Sequence, residues 1–119
     1  MKKLTRNKKI GDRGERRTAL YLFLRGYRIL ERNYTAGHKE IDIIASKGSL
    51  IAFVEVKTRS DTVNAAPASA VTNQKRRNII AAAKAYCASH DVSDKSIRFD
   101  ISEVPVKGRI NYIANAFTE

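Results

Sequence analysis

Two β-branched runs on either side of a four-residue polar break constrain this chain more than any other feature of it. Glu40 to Ala45 (Glu-Ile-Asp-Ile-Ile-Ala) and Leu50 to Thr58 (Leu-Ile-Ala-Phe-Val-Glu-Val-Lys-Thr) flank Ser46-Lys47-Gly48-Ser49. That break has the composition of a tight turn, so the pattern predicts a β-hairpin. Residues directly opposite in an antiparallel pair share a face. A Gly48-Ser49 turn therefore pairs Lys47 with Leu50 and, counting outward, Asp42 with Glu55. A Lys47-Gly48 turn would set Glu40 opposite Glu55 and leave Asp42 diagonal on the same face; only a three-residue loop without a bulge would separate the acids. The opposite face carries Ile41, Ile43, Ala45, Leu50, Ala52, Val54 and Val56, with no charge, and is expected to pack on a core. On the charged face, Ile44, Ile51 and Phe53 occupy the turn end, while Glu40, Asp42, Glu55 and Lys57 occupy the open end.

Two carboxylates about 5 Å apart across a ladder repel by roughly 3 kcal/mol at an effective dielectric of about 20. Something must compensate for that repulsion, unless the hairpin is simply amphipathic and its acids solvated. Mg²⁺ or Mn²⁺ takes oxygen ligands from one or two carboxylates and leaves its other positions to water and phosphate oxygens, which suits this pair. Lys57, on the same face, is placed to lower the pKa of an attacking water or balance charge developing on a phosphate.

Charge indicates what kind of partner to expect. The 119 residues hold 23 Lys and Arg against 12 Asp and Glu, a formal net charge of +11. Such an excess points to a polyanion, with nucleic acid foremost. The length suits a single domain over residues 1–119, with 1–9 as a flexible basic arm. Cys87 is alone, which excludes an internal disulfide and fits a reducing compartment, and its place in an Ala-rich helix makes it a small core residue. His38 and His90 have no Cys or His at zinc-ligand spacing. The basic N-terminus is not followed by an apolar signal-peptide core, and the longest apolar run, Ala19 to Leu24, is too short to span a bilayer. A soluble, cytoplasmic protein with no membrane contact is expected.

Periodicity supplies the remaining elements. Ile10 to Arg25 is expected as a helix stopped by Gly26, with Glu15 on the stripe of Ala19 and Leu22 and so aimed inward, although a first-turn Glu is also favoured by the helix dipole. Tyr27 to Tyr34 follows as a strand, and residues 59–68, without a period, as a loop. Ala70 to Ser89 is a second helix whose first turns carry Gln74, Lys75 and Arg76, where free amides favour phosphate. Residues 97–102 and 110–117 are the last strands. The order α-β-β-β-α-β-β lets helices cover both faces of a mixed sheet.

The spacing Asp42-x12-Glu55-x-Lys57 resembles the PD-(D/E)XK nuclease superfamily. The blocks Gly11-Asp12-Arg13-Gly14-Glu15, Gly26 to Tyr34, Glu40 to Ile44, Phe53 to Arg59, Arg98-Phe99-Asp100 and Asn115-Ala116-Phe117 resemble, in order, those of the YraN family of small bacterial proteins. Two positions depart from the pattern: Lys39 stands where that family usually has Gly, and Ile41 where the superfamily has Pro. The resemblance implies an α/β, restriction-endonuclease-like fold related to archaeal Holliday-junction resolvases. It also implies Glu15, Asp42, Glu55 and Lys57 as active-site residues, with Asp42 and Glu55 as metal ligands, assisted by Glu15, and it suggests a homodimer.

The resulting expectation is a Mg²⁺- or Mn²⁺-dependent endonuclease acting on DNA. Lys39, Arg59, Gln74, Lys75 and Arg76 would contact the nucleic acid. With no further module to read bases, branched or structured DNA is favoured over a specific sequence. The competing expectations are a non-catalytic nucleic-acid-binding module of the same fold and a protein-interaction adaptor.

Overall fold

The computed structural model describes residues 2–59 and 71–119, with side chains described over 12–58 and 71–119. The loop expected over 59–68 therefore lies, beyond its first residue, outside the described residues. Along the chain run α1 (Lys2–Leu24), β1 (Arg28–Ala36), β2 (Lys39–Lys47), β3 (Leu50–Arg59), α2 (Asn73–Ser89), β4 (Ser96–Pro105) and β5 (Asn111–Phe117). This is the α-β-β-β-α-β-β order read from the sequence.

Helix α1 starts earlier than the expected Ile10 and takes in residues 2–9 of the segment expected as a flexible arm. A run of Lys, Arg, Leu and Asn without Gly or Pro has no residue to stop a helix there. Its other end follows expectation: Gly26, at φ 90°, closes the helix, the Gly26 N–H donating to the Phe23 carbonyl and the Tyr27 N–H to the Leu22 carbonyl, both at 3.0 Å. This is the glycine-terminated Schellman arrangement.

The five strands lie side by side in the order β1-β2-β3-β4-β5. All neighbours are antiparallel except β3 and β4, which run parallel and are joined through α2. The hairpin has the Gly48-Ser49 turn: Lys47 pairs with Leu50, and the ladder continues outward to Ile43 opposite Val54.

Each sheet face meets one helix. Leu22 of α1 packs with Ile43, Ala45, Ala52 and Val54, while Ile79, Ala82 and Tyr86 of α2 pack with Ile44, Ile51, Phe53 and Phe99. One residue departs from the expected alternation. Ile41, expected beside Ile43, belongs to the α2-side cluster. Its switch falls just past the last ladder pair, where β2 is released from strict pairing with β3 and no longer has to alternate with it.

The charged side chains at the far side of the sheet have a structural role. Asp100 is fully buried and accepts from Arg98 Nε and Nη2 (both 2.8 Å), the Tyr112 hydroxyl (2.5 Å) and the Asn115 amide (2.8 Å), while Arg98 also donates to the Tyr27 hydroxyl at 2.7 Å. A buried carboxylate this fully bonded ties β4 to β5 and, through Arg98, to Tyr27 just ahead of β1. The Arg98-Phe99-Asp100 and Asn115-Ala116-Phe117 blocks are thereby explained as architecture.

Helix α1 is held to β3 and β4 by close contacts on which the position of Glu15 depends. Buried Thr18 donates to the Gly14 carbonyl at 2.9 Å and lies 2.8 Å from the Ser102 hydroxyl. A Cβ on Gly14 would collide with the Thr58 methyl group. Gly14→Ala should therefore destabilise the protein by about 1–3 kcal/mol in denaturant titration, the overpacking cost, although Ala is by about 1 kcal/mol the better helix former. Unchanged or higher stability would show that α1 does not sit this close to β3.

Candidate active site at the open end of the hairpin

The site forms where the β2–β3 ladder stops. Strict continuation would set Asp42 opposite Glu55, but the last pair is Ile43 with Val54. Beyond it, Asp42 Oδ2 accepts the Val56 amide at 2.8 Å. The carboxylate thus takes a donor that a backbone carbonyl would otherwise have met, which fixes Asp42 between the strands.

Glu55 is 8 % exposed. Its Oε1 lies 3.4 Å from the Lys75 ammonium of α2, while its Oε2 is buried with no hydrogen-bond partner. Burial, and then the neighbouring Asp42 charge, push its carboxyl up to about 7 against the pull of Lys75. Asp42 is likewise raised, chiefly by burial and further by Glu40, with the Val56 amide and Lys75 opposing.

Glu15 approaches from α1. Its Oε1 is 3.6 Å from Arg32 Nη2 and makes no hydrogen bond, and Asn33 bonds the carboxylate. Burial, followed by the Asp42 charge, raises its pKa while Arg32 and Asn33 lower it. Glu15 thus senses Asp42 but pairs with β1. Among the described residues, no three acidic, His or Cys side chains are grouped to enclose a metal ion.

The expected site residues divide between positions near the acids and positions away from them. Asp42, Glu55 and Lys75 come together, with Glu15 beside them. Lys57 lies on the same face of β3 by strand alternation, but the ammonium in contact with Glu55 is that of Lys75, 3.4 Å away. Lys57 is in register with Glu103 of β4 instead. Gln74 is engaged along its own helix, donating to Asn78 and accepting from Arg77, both at 3.0 Å. Arg76 lies over the Phe117 ring, 5.6 Å from its centroid. Lys39 is exposed at the β1–β2 turn, and the Arg59 side chain is outside the described residues.

Arg32 and Asn33 were not singled out from the sequence. They lie within the Gly26-to-Tyr34 block, and an Arg-Asn pair one hairpin strand away from an isolated inward Glu was the available signal. Asn33 adopts φ 54°, a left-handed conformation that Asn tolerates better than most residues.

The donor set fits a hard divalent cation. Two adjacent carboxylates, both raised in pKa and one with an unpartnered buried oxygen, are short of positive charge, and Mg²⁺ and Mn²⁺ bind through one or two such groups.

The mixed sheet with this helix order defines a restriction-endonuclease-like fold. It is similar to that of Hjc from Archaeoglobus fulgidus, a Holliday junction resolvase from an archaeal hyperthermophile, with a TM-score of 0.58 and 17% identity, covering 92% of this chain and 78% of that one. The likeness is one of fold. At the level of sequence, the model of the uncharacterised protein family UPF0102 matches residues 14–104. A UPF0102 protein of Alkaliphilus metalliredigens is 43% identical over 113 residues, covering 93% of this chain and 99% of the relative. Another, from Clostridioides difficile, is 44% identical over 112 residues, covering 93% and 98%. The chain belongs to the UPF0102 family.

The raised Glu55 carboxyl makes stability depend on pH. Between about 4.5 and about 7 the folded protein holds a proton that the unfolded chain has lost, so metal-free stability falls as pH rises through that window and levels off above it. Glu55→Gln, which resembles the protonated form, removes this slope. In EDTA, its stability advantage over wild type should grow from near zero at pH 4.5 to as much as about 3 kcal/mol at pH 8, measured by urea unfolding. An advantage independent of pH would mean that Glu55 ionises normally.

Proposed function

We propose that this protein is a divalent-metal-dependent phosphodiesterase that cuts nucleic acid, with branched or flapped DNA as the favoured substrate. The observation that carries the reading is the pairing of half-buried Asp42 with buried Glu55 at the end of the ladder, with Glu55 Oε2 unpartnered. Asp42 and Glu55 would hold the Mg²⁺ or Mn²⁺ ion. When bound, such an ion would supply positive charge for the scissile phosphate and for ionising the attacking water.

This chain's own residues do the rest. The Val56 amide keeps the Asp42 carboxylate in place, so that little reorganisation is needed on binding. Glu15, held by Arg32 and Asn33 next to Asp42, is placed to accept a proton from the water. Lys57 and Lys75 provide ammonium groups for the phosphate oxygens. Exposed Lys39 and the +11 net charge draw the polyanion to this edge of the sheet.

Fold likeness to a Holliday junction resolvase supports a nucleic-acid substrate, and the small size of the chain favours recognition of shape over sequence. A second reading is a non-catalytic nucleic-acid-binding module of the same fold. It draws on the Lys75–Glu55 ion pair and on the lack of a three-acid group among the described residues.

A panel of duplex, single-stranded, flap and four-way-junction DNA, with Mg²⁺, Mn²⁺ or EDTA, tests both readings. The enzyme reading expects metal-dependent cleavage of a branched substrate, lost in Asp42→Asn and Glu55→Gln. Binding without cleavage in either metal would leave the second reading. With about five Lys or Arg contacts, log K for duplex DNA should fall with log salt at a slope of roughly −4 to −5. A slope near zero would oppose both.

A further inference from the structure

The lysine that meets the acid pair comes from α2, and it sits where a helix would not choose one. Thr72 caps α2 and accepts the Lys75 amide at 3.1 Å, which makes Lys75 a first-turn residue. Positive charge there opposes the helix dipole, and the first turn of α2 contains no acid to offset it. The compensation comes from the sheet: the Lys75 ammonium is 3.4 Å from Glu55 Oε1, and its charge also reaches Asp42. The Lys75 side chain is 48 % exposed, against 10 % for Glu55. One partner is therefore fixed and enclosed while the other can swing to solvent.

We infer that Lys75 is a resident counter-ion of the Asp42–Glu55 pair, which an incoming divalent cation displaces from Glu55. The inference rests on the metal-site reading above and deepens it. Both cations compensate the same carboxylates, so they compete, and a cation that binds one state of an exchange weakens the other by linkage. Displaced, Lys75 stays at the rim of the site on the first turn of α2. Its ammonium is then free to meet a phosphate oxygen, and metal occupancy is coupled to substrate binding. Lys75 thus acts on the metal site through Glu55, unlike Lys57 on β3, whose register neighbour is Glu103.

The test is Mn²⁺ binding to the whole protein without DNA, measured by titration calorimetry for wild type, Lys75→Met, Lys75→Arg, Lys57→Met and Lys84→Met. Lys75→Met should bind Mn²⁺ roughly tenfold more tightly than wild type, equivalent to about 1.4 kcal/mol. Lys75→Arg, which keeps the charge, should stay near wild type. Lys57→Met should shift affinity much less than Lys75→Met. Lys84→Met, whose ion pair is with Glu119, controls for the loss of one positive charge anywhere on the protein. In wild type, acylation of the Lys75 amine by a small activated ester, followed by peptide mass spectrometry, should quicken on saturation with Mn²⁺. This arm needs no variant to fold.

If wild type binds Mn²⁺ but Lys75→Met binds no more tightly, or if Lys75 labelling is indifferent to the metal, the counter-ion role is overturned and the metal site stands. If neither wild type nor Lys75→Met binds Mn²⁺, the metal-site reading falls and takes this inference with it.

Discussion

The β2–β3 ladder ends at Ile43 and Val54, and the rest of the site follows from where it ends. One residue further out, two carboxylates meet at the mouth of the hairpin, where burial denies them the water that would screen their repulsion. Asp42 is held in place by the Val56 amide, and Glu55 retains a buried oxygen without a partner. The strain is local. The fold tolerates it because the remainder of β3 lies between two paired neighbours, with Phe53, Val54 and Ala52 fully buried on its two faces.

That arrangement resolves its charge by borrowing cations from both sides. Arg32 of β1 approaches Glu15, and Lys75 of α2 approaches Glu55. Neither pair is short enough to be a strong charge-assisted hydrogen bond, which for N⁺–H···O⁻ lies near 2.7–2.9 Å. Contrast Asp100, which has four donors at 2.5–2.8 Å and belongs to the permanent framework. A fully bonded acid is structural, whereas a loosely compensated one is available to a ligand. By this criterion Glu15 and Glu55, each with a buried oxygen that has no hydrogen-bond partner, have room for a further ligand that Asp100 lacks.

Much of this was legible in the chain. Period-two alternation and the Gly48-Ser49 turn set the hairpin register, which holds as far as Ile43 opposite Val54 and stops one pair short of Asp42 and Glu55. Gly26 correctly marked the end of α1, and Thr72, which caps α2, lies just inside the expected helix start at Ala70. What escaped was decided by contacts between distant elements. The switch of Ile41 to the α2 side follows from the opening of the ladder, and strict alternation gives no warning of it. Which ammonium meets Glu55 depends on how α2 lands on β3, and a spacing motif within one strand points to Lys57 alone. The Arg32–Glu15 contact likewise joins elements that no local pattern relates.

The central claim is that the Asp42–Glu55 pair exists to receive a divalent cation. Proton release on binding tests it most directly. Because burial and the Asp42 charge push the Glu55 carboxyl up to about 7 in the free protein, Mn²⁺ entering at pH 6 should expel most of the proton it carries, and far less at pH 8.5. Calorimetric titration in buffers of different ionisation enthalpy measures that release. Saturable binding with this pH-dependent release, abolished in Glu55→Gln, is the predicted result; no saturable binding, or binding with equal proton release at both pH values and in the mutant, would contradict it.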